Sequence, residues 1–179
     1  MKSPKRFRPS HTFTALDMET SGLRWDIDRV LIVDLATFVA GKYREGKTFW
    51  IHPPFELSRP LLKFIRRKKG DFIHARLLHE VSGGIRKALG AHPLVFYHAE
   101  PDLKLIESEF GVSRKSFKWP PVDILPMARE VMPDLSNYRL ETLRKAAVIS
   151  QRSWPEQILK ARLIGELAIR LSMQKAVLV

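Results

Sequence analysis

Runs of apolar and β-branched residues near the start of the chain predict strands over residues 12–16, 29–39 and 47–52. Gly22 and the glycine-bounded segment 41–46 supply turn signals between them. The middle run is rich in Val, Ile and Leu, as a strand buried on both faces requires, and Asp34 interrupts it. Pro53-Pro54 closes this strand region, and the pattern then becomes helical. A short helix is expected over residues 57–69, with Ser58 as its N-cap and Pro60 in its first turn. A second runs from Asp71 to about residue 89, with Gly83-Gly84 as a weak point that divides it. Residues 94–97 read as a buried strand, and a helix over 102–110 stops at Gly111. Further helices follow over 123–132, 138–147 and 155–174, the last with Pro155 in its first turn. The pattern predicts one α/β domain over residues 12–179, a mixed sheet flanked by helices, preceded by a basic flexible arm over residues 1–11.

Composition narrows the function. The 179 residues are 45% hydrophobic and 28% charged, ordinary for a globular chain long enough to bury its own core. With no cysteine, disulfides and thiolate zinc sites are excluded. The basic N-terminus lacks a long apolar stretch of the signal-peptide kind, and the apolar run 30–40 is too short to span a bilayer. A soluble, cytoplasmic protein without a membrane partner is the expectation. The net charge of +12 favours a polyanion, nucleic acid before an anionic membrane. The cations cluster in residues 2–8 and in Lys63-Phe64-Ile65-Arg66-Arg67-Lys68-Lys69. Phe64 and Ile65 suggest a helix that buries one side and offers the other to phosphates; the alternative is a solvated helix face.

Chemistry concentrates at the end of the first strand. Asp17 and Glu19 are spaced i, i+2, so their side chains leave the strand on one face. Two such carboxylates repel unless a positive charge lies between them. A hard divalent ion meets that need, since Mg²⁺ is held by one or two carboxylates together with substrate phosphate. An acidic strand end facing solvent is the simpler alternative.

The stretch Asp17-Met18-Glu19-Thr20-Ser21-Gly22-Leu23 resembles the first motif, D-x-E-T-[ST]-G-L, of the DnaQ-like DEDD 3′–5′ exonuclease superfamily, that of the epsilon proofreading subunits. The resemblance extends over about residues 12–171 and implies a ribonuclease-H-like mixed sheet flanked by helices. The second motif is matched in part: Leu94-Val95-Phe96-Tyr97-His98-Ala99-Glu100-Pro101-Asp102 places Asp102 on the metal-contacting aspartate. Tyr97, His98 and Pro101 stand where the family has His, Asn and Phe. Asp123 opens a segment like the family's D-T-L-x-L-A-R helix, as an N-cap and not as a ligand.

The third motif departs from the pattern. Family members with the histidine variant close with H-x-A-L-x-D-A, the histidine acting as general base and the aspartate completing the metal site. Here Pro155 takes the histidine's place and Lys160 the aspartate's. Proline accepts no proton, a loss typically of about 10²–10⁴-fold in rate. An ammonium at 160 is aimed at Asp17, Glu19 and Asp102. With Lys160 turned outward, Glu156 on the same helical face would replace a ligand or the base; the alternative is an exposed first-turn acid favoured by the helix dipole.

The resemblance thus implies Asp17, Glu19 and Asp102 as metal ligands and, with Glu156, as the catalytic set, with Mg²⁺ or Mn²⁺ if the chain is active. Thr20, Ser21, Gly22 and Leu23 would meet the terminal nucleotide, and Lys63, Arg66, Arg67, Lys68 and Lys69 the backbone. The expected function is binding of a single-stranded 3′ end of DNA or RNA, with cleavage weakened or lost. The alternatives are a working exonuclease with an atypical third motif and a protein-binding scaffold or adaptor.

Overall fold

The computed structural model describes residues 7–22, 24–151, 154 and 158–177. Five strands form one mixed sheet in the order β3-β2-β1-β4-β5. β1 (Phe13–Thr20), β2 (Val30–Val39) and β3 (Lys42–Trp50) are an antiparallel meander; β4 (Leu94–Phe96) and β5 (Val122–Asp123) add parallel to β1. The helices are α1 (Arg59–Phe64), α2 (Leu78–Ala91), α3 (Ala99–Phe110), α4 (Ile124–Val131), α5 (Leu140–Ala146) and α6 (Leu159–Val177). This is the ribonuclease-H-like α/β arrangement that the sequence leads one to expect.

The pleat divides the core in two. Phe13 and Ala15, with Ala36 and Phe38 opposite them, join Val95 under α4, α5 and α6. Leu16, Met18, Val33 and Leu35 face the other way and pack on α2 and α3. α6 lies close on its face: a Cβ at Gly165 would fall 2.1 Å from Cε2 of Phe38, so only glycine fits there. No helix among the described residues is long and apolar enough to cross a membrane.

Several element boundaries differ from the sequence pattern. The glycine-bounded segment 41–46 is not a turn; the chain reverses at Ala40-Gly41, and Gly46 already lies within β3 against Ile158. The helix expected over 57–69 ends at Phe64. Ser58 caps it by accepting from the amide of Leu61 (3.3 Å), but Arg66 takes a left-handed conformation (φ 55°) and breaks it. Ile65 is buried while Phe64 is 81% exposed, so only one of the two apolar residues in the basic run serves the core. Asp71 starts no long helix: it sits in a 3₁₀ turn, Lys69–Phe72, and accepts from the amide of Lys68 (2.8 Å). α2 then runs through Gly83-Gly84 unbroken, its buried Val81, Ile85 and Leu89 supplying what propensity lacks.

Candidate active site

Asp17 and Glu19 continue the face that carries Phe13 and Ala15, past the point where the apolar cover of α6 ends. They lie at the carboxyl ends of the parallel strands β1 and β4, where open α/β sheets present their ligand crevice. A register shift between Glu19 and Thr20 increases the local twist and ends regular pairing beside them. The sequence reading missed a third acid here. Asp34 pairs directly with Asp17, and Thr48 with Asp34, so all three share one face; the Thr48 hydroxyl donates to Asp34 at 2.6 Å. The available signal was an acid inside an otherwise apolar buried strand, which is rare unless the acid has a partner.

Asp102 arrives from α3, in the first turn after β4. The corner between these elements is tight: His98 is left-handed (φ 61°), and Asp123 holds it by accepting from the amides of His98 (2.9 Å) and Ala99 (3.0 Å). Asp123 also accepts from the amide of Leu125 (2.9 Å), capping α4 as its position suggests. One carboxylate therefore fixes both the start of α4 and the turn that presents Asp102.

Lys160 lies in the first turn of α6 and reaches into this acidic group. Its Nζ donates to Glu19 Oε1 at 2.5 Å and stands 3.8 Å from Asp17 Oδ2. Burial disfavours the ammonium, but Asp17 and Glu19 more than offset this and hold its pKa above the usual lysine value. Burial pushes Asp17 up to about 8 against the pull of Lys160, with Glu19, Asp102 and Asp34 adding to the rise. Burial and the neighbouring Asp123 bring Asp102 to about 7, and burial brings Asp34 to about 6 despite the Thr48 hydrogen bond. Asp17 Oδ2 is buried and lacks a hydrogen-bond partner. Lys160 and Glu19 are thus the close ion pair, and burial favours the neutral form of Asp17.

These donors do not fit a pair of divalent ions. Among the described residues no three carboxylate or imidazole side chains converge as a set that could hold a metal ion. The expected grouping of Asp17, Glu19 and Asp102 around a cation is replaced by an ammonium on Glu19. Pro155 and Glu156 lie outside the described residues. Trp154 stacks on Arg162, whose guanidinium is 4.4 Å from its ring and 4.1 Å from that of Tyr43, tying the approach to α6 against β3.

The loop after β1 is held by its own side chains. Thr20 donates to the Gly22 carbonyl (2.7 Å), Ser21 to Asp28 (2.8 Å), and the amide of Arg24 also donates to Asp28 (2.8 Å). A Cβ on Gly22 would meet Asp28 Oδ2 at 2.4 Å. Both hydroxyls are therefore engaged within the loop, and Leu23 lies outside the described residues. Trp25, 54% exposed, and Ile27 stand at the loop's outer turn. In the basic run, Lys63, Arg66 and Lys68 are exposed and Lys69 pairs with Glu56 (2.9 Å). Arg67 leaves this group and lies 5.6 Å over the ring of Trp50.

No family model matches the chain. Sequence relatives do. It is 24% identical over 169 residues to a PolC-type DNA polymerase III of Bacillus cereus, covering 93% of this chain and 12% of the polymerase. It is 23% identical over 163 residues to the DNA polymerase III epsilon subunit of Aquifex aeolicus, covering 89% of this chain and 80% of the subunit. The fold matches exonuclease I with a TM-score of 0.77 at 15% identity, over 94% of this chain and 42% of that one. Sequence relatives and fold together support a DnaQ-like DEDD 3′–5′ exonuclease superfamily for this chain. Exonuclease X, solved in complex with 5′-overhanging duplex DNA, shares the fold over 92% of this chain and 93% of that one (TM-score 0.67, 16% identity). The chain spans 12% of the length of the PolC-type polymerase and 42% of that of exonuclease I, so the likeness concerns a part of each.

Proposed function

We propose that this DnaQ-like chain binds the 3′ end of a single-stranded nucleic acid in the cleft at the carboxyl ends of β1 and β4, with cleavage lost or very slow. The observation that carries this reading is the Lys160 ammonium on Glu19 and beside Asp17. In-line phosphodiester hydrolysis by two metals needs carboxylate cages for both ions. An ammonium in the cage supplies the positive charge without activating water. Proline at 155 leaves that position without a proton acceptor. The net charge of +12 and the exposed Lys63, Arg66 and Lys68 suit a polyanion, and exonuclease I and exonuclease X are both recorded with DNA bound. Trp25, exposed on the rigid loop beside the cleft, offers a face on which a base can stack.

One observation favours a second reading, a working Mg²⁺- or Mn²⁺-dependent exonuclease. Asp17 Oδ2 is buried without a hydrogen-bond partner, as an acid awaiting a ligand would be. The test is hydrolysis of 3′-labelled single-stranded DNA and RNA with Mg²⁺ and with Mn²⁺, beside Asp17→Ala and Lys160→Asp. Tight binding at low salt without turnover, with turnover gained in Lys160→Asp, is the expected result. Parental turnover that vanishes in Asp17→Ala establishes the second reading instead.

A further inference from the structure

Arg67 belongs by sequence to an exposed basic run, and the structure takes it elsewhere. α1 ends in a Schellman turn: the amide of Arg66 donates to the Lys63 carbonyl (3.2 Å) and that of Arg67 to the Leu62 carbonyl (2.9 Å). The left-handed Arg66 turns the chain back onto the sheet, and the Arg67 guanidinium settles over Trp50. Trp50 pairs with Ile32, and Ile32 with Glu19, so these three residues form one row across the face that holds the acids. Arg67 therefore stands over the β3 end of the row that Lys160 reaches at its β1 end. Its Nε is buried without a hydrogen-bond partner, and its charge acts on both Asp34 and Lys160. The Lys160 side chain is 46% exposed, so the ammonium that pairs with Glu19 also faces the open cleft.

We propose that Lys160 and Arg67 together make the cleft a phosphate-binding site for a single-stranded nucleic acid that needs no divalent ion. This rests on the binding function proposed above and adds to it the group that holds the backbone. Bare carboxylates on Asp17, Glu19, Asp34 and Asp102 would repel a phosphodiester. One cation from α6 and one from the turn after α1 offset part of that charge where a phosphate would enter the cleft. The two contribute differently: guanidinium presents a planar fork that suits two phosphate oxygens at once, while ammonium acts as a point charge. The stacking on Trp50 pre-orients the fork, so little rotamer freedom is left to lose when phosphate arrives.

The test is fluorescence anisotropy of a labelled single-stranded oligonucleotide on the full chain, titrated across salt, first with EDTA and then with Mg²⁺. The expected affinity is the same within about two-fold in both, since phosphate neutralisation comes from side chains. Arg67→Gln is expected to weaken binding about ten-fold and to lower the slope of log K against log salt by about one. Arg67→Lys keeps the charge, and so the slope, while losing part of the affinity. In Lys160→Gln, binding becomes weak in EDTA and is restored by Mg²⁺. Wild-type binding that disappears in EDTA overturns this inference and leaves the binding function standing. Arg67→Gln with unchanged affinity and slope, and an unchanged melting profile, overturns it too, assigning Arg67 a structural role on Trp50. Absence of binding in every condition overturns both.

Discussion

Replacing Lys160 with methionine keeps the length of the side chain and removes its charge, leaving Glu19 buried at 8% exposure with no ion-pair partner. Breaking a fully buried pair in this way costs about 3–5 kcal/mol. Lys160 is 46% exposed, so screening by solvent reduces this to about 1–3 kcal/mol. At about 2–4 °C for each kcal/mol in a chain of this size, Lys160→Met should lower the melting temperature by about 2–12 °C. Mn²⁺ or Mg²⁺ should then stabilise the variant, by about 2.7 kcal/mol at a hundred times its Kd, and change the wild type little. Thermal melts by circular dichroism, with EDTA and with each ion, measure all of this. An equal response of wild type and variant to the ions would refute the view that the ammonium takes the metal's place. So would a variant that melts at or above the wild type in EDTA.

Three further outcomes are expected. Asp102 and Asp17 have folded pKa values raised to about 7 and about 8 from an ordinary 3.8, so the folded state binds more protons in that range; their contribution is fully present below the ordinary value and is lost as pH rises through the raised ones. Urea midpoints should fall from pH 5 to pH 8, and a rising profile would contradict the burial of these acids. Val148 is a β-branched residue at φ 54° and 85% exposed, so Val148→Asn should relieve about 1 kcal/mol of strain and raise the melting temperature, at no loss of packing. Gly165→Ala pushes a methyl into Phe38 and should destabilise by about 1–3 kcal/mol, read as a lower urea midpoint with an unchanged slope.

Residues 17–22 were legible in the sequence because their signal is local. Two acids at i, i+2 followed by a Thr-Ser-Gly turn must project from one strand end, and the β1 register bears this out. Asp123 was legible as a cap for the same reason, its partner lying two residues away. Its second role, closing the corner before α3, spans 24 and 25 residues and left no mark in the spacing. The error at residues 41–46 is also physical. Glycine there reads as a turn signal, whereas Gly46 is needed inside β3 to let Ile158 approach.

The first four strands, the helices after them and the acidic end of β1 follow from the sequence alone, since side-chain period and turn chemistry are local properties of a chain; β5, two residues long, leaves no such pattern. The sequence also places a lysine where the superfamily's third motif has an aspartate, but only the tertiary structure decides what that lysine meets. Its partners lie 141 and 143 positions away in the chain and are brought to it by the packing of α6 across β1 and β2. Arg66 in a left-handed turn is likewise a tertiary outcome, since the buried Ile65 anchors the end of α1 and the turn swings Arg67 over Trp50. Asp34 becomes part of the cleft only because strand register sets it opposite Asp17. Charge balance among buried groups depends on distances between elements, and a linear pattern does not contain them.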